Sequence, residues 1–467
     1  MSRPALVRYA GLAGSLLLAV AAWLGGATDP WQPTITPRTI FAGEDGVLLP
    51  LAWLFGTVLL IGAWWAGRRH VPSTRWAYVT AALWVVPLLP FLPLGSYDVH
   101  SYACQGWQQA AGLDPYGGGV GLLGCPWADA VAPTWRDAPA PYGPVFLLLA
   151  ALAAKLGSSL AGTVALLRVI AVLGVALIAG CLPVLARRAG VPAKRAVWLA
   201  LACPLVPIHL ISGAHNDAMM VGFLMAGLAL AVTQRPLLAG VLLGLAVGVK
   251  VTAVVVLPFA LLIVFPGRRW RSVALVLAAV VGTLGVASVL SRRGLGWVTG
   301  LSGSGVSVQW TSPPTAVGMV FRLFGVDAVP VTRAIGIVAL AVVLVVLWWR
   351  ARSRDPLRYA AYALAATVVL APVFHPWYAM WALAPLAATV RRETLWLVVP
   401  PAVAAALCLP DGYNLALAVK SQGAIAMTAL LCYLATKYGK AIHEAKSFDP
   451  VAAGVGHPAD RLPRRDP

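Results

Sequence analysis

Five polar runs interrupt an otherwise apolar chain, and each holds side chains suited to moving a proton or holding an anion. The first is Gly95-Ser-Tyr-Asp98-Val-His100-Ser-Tyr102. A carboxylate at a membrane–water boundary is placed to act as a general base toward a hydroxyl group. Its ordinary alternative is to cap a short helix, predicted over Val99–Ala111 and ended by Gly112 and the Asp114-Pro115 turn. The two roles are compatible. Asn at this position would cap equally well, so substitution separates them.

The second run joins Leu113-Asp-Pro-Tyr-Gly117 to Trp135-Arg-Asp-Ala-Pro-Ala-Pro-Tyr-Gly-Pro144. Tyr116, Trp135 and Tyr142 offer aromatic faces to a sugar or a lipid head group, and Arg136 offers an anion ligand. The plain reading is an interfacial aromatic belt with an Arg136–Asp137 pair. The third run, Ser212-Gly-Ala-His215-Asn216-Asp217, breaks two apolar stretches. Ionisable groups at such depth are functional candidates by default, to orient an acceptor hydroxyl or a phosphate. A helix cap followed by a turn is the alternative.

The fourth run is Phe374-His375-Pro376-Trp377-Tyr378. His375 precedes a proline and is therefore held extended, with its imidazole available to a phosphate oxygen. A simple turn with interfacial aromatics would read the same way. The fifth run is basic. Lys250 follows the Gly-rich segment Gly240–Val249 inside an apolar block, where a lone ammonium is costly unless it snorkels or meets an anion. Arg292 and Arg293 depart from the charge pattern described below, and with Lys250 they suggest a phosphate site.

Other chemistries lack their motifs. There is no Asp-x-Asp pair, Walker loop, His-Glu-x-x-His or Rossmann glycine pattern. The six cysteines show no metal spacing. A nucleotide diphosphate held by a metal is therefore not supported, and no cofactor is expected. Cys104 and Cys125 fall in one loop, where a disulfide in an oxidising compartment and two free thiols are both open.

The elements that must position these runs are helices in a membrane. The chain has 467 residues, 60% hydrophobic and 11% charged. A soluble protein carries about 25% charged residues and could not cover its surface with this composition. Soluble enzymes, disulfide scaffolds and disordered proteins are thereby excluded. Unbroken apolar runs such as 274–289 and 334–349 favour helices over a barrel's alternating strands. About 13–14 runs are candidate spans, several shorter than the ~20 residues of a straight crossing. The run 145–156 stays open between a span, a re-entrant and an interfacial segment.

The net charge is +19, from 35 Lys and Arg against 16 Asp and Glu. With the N-terminus in the cytoplasm, roughly two-thirds of the basic residues fall on that side, as the positive-inside rule requires. The charge excess is then a topological address, and nucleic acid is not expected as a partner. Two long loops, 96–142 and 291–314, face outward and form the expected active-site face. Residues 1–436 read as a single membrane domain, and 437–467 as a mostly disordered cytoplasmic tail. No internal repeat is visible, which weakens a transporter reading.

Tyr97-Asp98-Val-His-Ser-Tyr102, Gly112-Leu-Asp-Pro-Tyr116, Ala138-Pro-Ala-Pro-Tyr-Gly-Pro144, Gly213-Ala-His-Asn-Asp217 and His375-Pro-Trp-Tyr378 together resemble the actinobacterial polyprenol-phosphomannose-dependent α-1,6-mannosyltransferases. These are GT-C class integral-membrane glycosyltransferases that extend the mannan backbone of lipomannan and lipoarabinomannan. The resemblance spans Leu48–Tyr433, and Asp98–Pro144 is its specific block. It implies an all-α polytopic membrane protein, a GT-C type bundle whose large first external loop contains short interfacial helices. It also implies a multi-pass enzyme of the cell membrane with its site outside, and the charge pattern puts both termini in the cytoplasm.

The implied reaction is metal-independent, inverting transfer of mannose from polyprenyl monophosphate mannose to a lipoglycan acceptor beside membrane lipid. Asp98 matches the essential carboxylate of the class and is expected to be the general base. Lys250, Arg136, Arg292, Arg293 and His375 are the expected phosphate ligands. His215, Asn216, Asp217, Tyr116, Tyr142, Trp377 and Tyr378 are expected to hold the sugars. Alternatives are another polyprenyl-phosphate sugar, such as arabinose, as donor, or a lipid or glycolipid transporter.

Overall fold

The computed structural model of the protein describes residues 2–32, 39, 46–265, 270–300, 307–392 and 394–447. Apolar runs become helices because lipid offers the backbone no other partner. The chain opens with α1 (Arg3–Gly25) and α2 (Leu48–Gly67), which meet closely at Gly14 and Gly56. Small residues at such crossings let backbones approach. Next comes α3 (Thr74–Val85), capped by the Ser73 hydroxyl, which accepts from the Trp76 N–H. The loop 96–142 holds α4 (Asp98–Ala110) and the single turns α5 (Val120–Leu123) and α6 (Pro133–Arg136).

The centre of the fold contains α7 (Pro144–Gly157), α8 (Leu160–Ala189) and α9 (Ala193–Leu201). After α9 the chain bends by 64° into a π-helical segment, Val206–Ser212. Then follow α10 (Asp217–Val232), α11 (Pro236–Val249), a 3-10 stretch over Val251–Val256, and α12 (Leu257–Val264). The remainder is α13 (Trp270–Ser291), α14 (Gly296–Gly300), α15 (Pro313–Arg322), α16 (Val329–Ala351) and α17 (Pro356–Leu370). Last are α18 (Ala379–Thr389), α19 (Leu395–Ala406) and α20 (Lys420–Ser447).

Length sorts these helices. Among the described residues, six are long and apolar enough to cross a membrane, or up to seven with the bent α9 pair as one span. Six further apolar segments have 10–17 residues, α7, α10, α11, α17 and α19 among them. At 1.5 Å per residue these fall short of the ~30 Å hydrocarbon core. The expected count of about 13–14 spans is therefore reached only when short helices are counted with long ones. The run 145–156 is the helix α7.

Two boundaries differ from expectation. The tail expected to begin at 437 starts inside α20, which continues to Ser447, and residues 448–467 lie outside the described residues. The loop expected over 291–314 begins with the end of α13 and carries α14, and its residues 301–306 are likewise outside the described residues.

Internal ties hold the middle of the fold where the polar runs lie. Gly174 of α8 admits the backbone of α10, since a Cβ there would sit 2.5 Å from Ala218 carbonyl atoms. Arg168 of α8 is buried and donates Nε and Nη2 to the Ser212 carbonyl, each at 3.1 Å, and Nη1 to Leu89 at 2.8 Å. A helix end leaves carbonyls unpaired, and here a guanidinium satisfies one. That fixes the corner from which His215, Asn216 and Asp217 follow.

Candidate active site

Asp98 is the first residue of α4. Two glycines set the turn before it. Gly95 has φ +78 and its N–H donates to the Pro410 carbonyl at 2.8 Å, while a Cβ on Gly412 (φ +91) would lie 2.7 Å from Ser96. Only glycine fits both the left-handed backbone and this approach. The Asp98 N–H donates to Ser96 Oγ at 3.0 Å, so the serine does the local capping. The carboxylate is free for other work. Its Oδ1 accepts from Trp135 Nε1 at 2.9 Å, and its Oδ2 lies 3.9 Å from His215 Nδ1. Asp98 is 8% exposed, and burial pushes its carboxyl up to about 6 against the opposing pull of Trp135 and Lys250.

Trp135 reaches Asp98 because the loop is stapled. Cys104 of α4 is bonded to Cys125, and around them Val120 and Val131 form a small apolar cluster on which Trp135 packs. Arg136, expected to bind phosphate, instead donates to the carbonyls of Val131 at 2.9 Å and Asp129 at 3.2 Å. It braces the loop and does not line the cavity.

Opposite Asp98 stands Lys250, in extended backbone just after α11 (φ −148, ψ 122). Its Nζ is 2.9 Å from Asp217 Oδ1. Asp217 is fully buried in the first turn of α10, and the same oxygen accepts from Trp381 Nε1 at 2.6 Å. The ammonium also lies 4.6 Å from the Tyr378 ring, 5.1 Å from Trp381 and 5.8 Å from Tyr142. These distances are within cation–π range.

The third wall is aromatic. His375 is extended (φ −108, ψ 148), as its proline neighbour demands, and stacks on Trp377 with centroids 4.8 Å apart. Burial, and then the nearby Lys250, push its imidazole down to about 3, so it is neutral. On Trp377 also stacks His215, at 3.7 Å, whose Nδ1 is 3.2 Å from Tyr102 Oη. Asp98, Trp135, Tyr142, Lys250, His375, Trp377, Tyr378 and Trp381 line one cavity of about 180 Å³. That is below the ~300–1,000 Å³ of drug-sized pockets and suits one small ring rather than an oligomer.

The other expected ligands lie elsewhere. His215, Asn216 and Asp217 are buried behind the cavity wall rather than on it. The Tyr116 hydroxyl donates to the Tyr142 carbonyl at 2.8 Å and supports that residue from outside. Arg293 Nε donates to Gln109 Oε1 at 3.0 Å and is 3.9 Å from Asp114, while Arg292 is exposed. Neither arginine lines the cavity. Trp381 was not among the expected site residues because it reads as an ordinary apolar member of a span. Its spacing of four from Trp377, one helical turn, was the available signal.

One buried carboxylate, one paired ammonium, a neutral imidazole and stacked aromatic rings can remove a proton from a hydroxyl, steady a departing anion and hold a sugar's apolar face. This combination, set into a helical membrane protein, has the groups that a group-transfer reaction requires. Residues 8–266 match the family described as alpha-(1->6)-mannopyranosyltransferase, N-terminal domain, and residues 314–437 match the MptB C-terminal domain. The chain is 35% identical over 405 residues to alpha-(1->6)-mannopyranosyltransferase A of Mycobacterium tuberculosis, covering 80% of this chain and 78% of that protein. It is 33% identical over 449 residues to alpha-(1->6)-mannopyranosyltransferase B of Corynebacterium glutamicum, covering 84% of this chain and 74% of that protein. No solved structure matches. The chain belongs to the alpha-(1->6)-mannopyranosyltransferase family and is a membrane glycosyltransferase. Asp98 and Lys250 come from the first matched segment, His375, Trp377 and Trp381 from the second, and the cavity lies between them.

Proposed function

We propose that the protein transfers mannose in α-1,6 linkage from polyprenyl monophosphate mannose to a mannan acceptor on the outer side of the membrane. The observation that carries this reading is that the buried Asp98 carboxylate and the Lys250 ammonium line one aromatic-walled cavity. An acceptor hydroxyl oxygen attacks the donor anomeric carbon from the face opposite the phosphate. The new C–O bond forms as the C–O bond to phosphate breaks, its electron pair leaving on the phosphate oxygen, with inversion. Asp98 takes the hydroxyl proton. Lys250 meets the developing phosphate charge, and neutral His375 is available as a hydrogen-bond donor. Tyr142, Trp377 and Tyr378 offer faces to the sugar ring.

A lipid-linked donor is supported by a second cavity. An apolar groove of about 620 Å³ runs between α7, α11 and α13, lined by Val145, Leu149, Val241, Leu245 and Val286 among others. Its Val145 end packs on Gly248, so the groove ends against the segment that carries Lys250 two residues later. The outward placement of the site rests on the charge distribution of the inner loops. Arg136, Arg292 and Arg293 have no part in this reading.

The test is product formation by purified protein in detergent from radiolabelled polyprenyl-phosphate mannose and an α-1,6-oligomannoside. The expected product is one mannose longer and sensitive to an α-1,6-specific mannosidase. A faster reaction with polyprenyl-phosphate arabinose would overturn the donor assignment. Absence of glycoside product in detergent, where no gradient exists, would favour the transporter alternative.

A further inference from the structure

We infer that Asp217 is a positioning residue that aims the Lys250 ammonium at the phosphate of the lipid donor. This rests on the proposed use of a prenyl-phosphate sugar and deepens it.

Asp217 follows His215 and Asn216 in a polar run that reads naturally as a sugar-binding turn. Burial argues otherwise. Asp217 has no exposed surface and does not line the cavity, so no acceptor hydroxyl reaches it there. Its Oδ1 is occupied by Lys250 Nζ at 2.9 Å and Trp381 Nε1 at 2.6 Å, and its Oδ2 is buried without a hydrogen-bond partner. Of its two partners, the indole of Trp381 and the ammonium of Lys250, only the ammonium is charged.

The geometry of that ammonium is directional. Behind it stands the Asp217 carboxylate, and beside it the rings of Tyr378, Trp381 and Tyr142 at 4.6, 5.1 and 5.8 Å. In front is the cavity, toward which the Lys250 side chain keeps 12% exposure while that of Asp217 has none. An ammonium has three donors, so a carboxylate behind leaves others for an anion in front. Lysine carries a flexible four-carbon stem. Pinning it before the anion arrives removes reorganisation from the binding and leaving steps. Trp381 completes the device by holding the carboxylate, which explains an indole N–H aimed into an otherwise apolar helix face.

The experiment uses full-length protein in detergent, with a short-chain polyprenyl monophosphate as inhibitor of mannosyl transfer and an oligomannoside as acceptor. Asp217→Asn is expected to raise the inhibition constant of the monophosphate about tenfold, and Lys250→Gln to raise it as much. The double variant is expected to be no worse than Lys250→Gln alone, because the two residues act as one unit. The acceptor KM should stay within about twofold of wild type in every variant. Asp217→Glu keeps the charge but displaces it by one methylene, and is expected to raise the inhibition constant only about threefold. If Asp217→Asn does not fold by thermal midpoint and gel filtration, Asp217→Glu decides the matter. A shift in phosphate inhibition without a shift in acceptor KM supports the positioning role.

Unchanged phosphate inhibition in folded Asp217→Asn or Asp217→Glu, a rise in acceptor KM, or a double variant equal to the product of the singles would each overturn it. A wild-type enzyme indifferent to polyprenyl monophosphate would remove the donor reading itself. Wild-type inhibition with an unaltered Asp217 variant would remove only this inference.

Discussion

Trp135 donates its indole N–H to the Asp98 carboxylate across 2.9 Å, although the two residues are 37 positions apart in the chain. The contact is made by a loop folded back on α4 and held there by the Cys104–Cys125 disulfide. A hydrogen bond to the charged form favours it, so Trp135 opposes the effect of burial. The result is a carboxyl near 6, ionised at pH 7 and more basic than an ordinary aspartate.

Asp98→Asn is expected to lower the transfer rate by about 10²–10⁴ while leaving the fold intact. Asn retains the side-chain size but cannot take the proton, and the Ser96 hydroxyl that accepts from the residue 98 N–H is untouched. Initial rates with saturating donor, beside a thermal melt, check this. Near-wild-type turnover would end the general-base assignment.

The pH dependence follows with its sign. A base works deprotonated, so activity should be full above pH ~7 and fall as pH drops through about 6. Trp135→Phe removes a bond that favours the ionised form, so the acid limb should move to higher pH. The variant is therefore expected to lose more activity at pH 6 than at pH 8, read from kcat/KM profiles of both proteins. An unmoved limb would mean that Trp135 does not act on the Asp98 ionisation.

Opening the loop staple should act on the same bond. Cys104→Ser with Cys125→Ser is expected to reduce the rate about tenfold or more, because Trp135 loses the packed cluster that aims it. A disulfide typically contributes ~2–4 kcal/mol, so the melting temperature should fall as well. Alkylation of the wild-type pair only after reduction, seen as a mass shift, is the accompanying check.

Arg292→Gln and Arg293→Gln are expected to keep kcat/KM within about threefold of wild type. Arg292 is exposed, Arg293 makes only a long 3.9 Å pair with the half-exposed Asp114, of a kind that contributes ~0–1 kcal/mol, and neither arginine lines the cavity. Steady-state rates separate this from Lys250→Gln, where a large loss is expected. Abolished transfer in Arg293→Gln would move the phosphate site out of the cavity and onto the loop.

The sequence alone determined the features that depend on composition and on neighbours along the chain. Apolar runs in a bilayer must be helices, and they are. The short helix predicted over Val99–Ala111 is α4, Asp98–Ala110, because turn residues bound it on both sides. His375 is extended because the next residue is proline. The polar runs are visible as departures from hydropathy, and four of the five meet at the site, through Asp98, through Trp135 and Tyr142, through His375 and through Lys250.

Tertiary structure alone decided which polar groups face the cavity. Arg136, Arg292 and Arg293 carry the same sequence signal as Lys250, but Arg136 pairs with loop carbonyls, Arg293 with the Gln109 amide, and Arg292 is exposed. Lys250 has Asp217 as its partner, 33 residues earlier, and no local pattern predicts that pairing. Trp381 was silent for a related reason, since an indole in an apolar helix looks like packing until its N–H is seen to meet a buried carboxylate. Span count was equally a tertiary matter, because a 14-residue apolar helix such as α7 is tolerated only where neighbours shield its ends. Covalent and hydropathic constraints act within a few residues. Charge pairing and burial are settled by whichever groups the packed helices bring within 3 Å, and that is a property of the whole bundle.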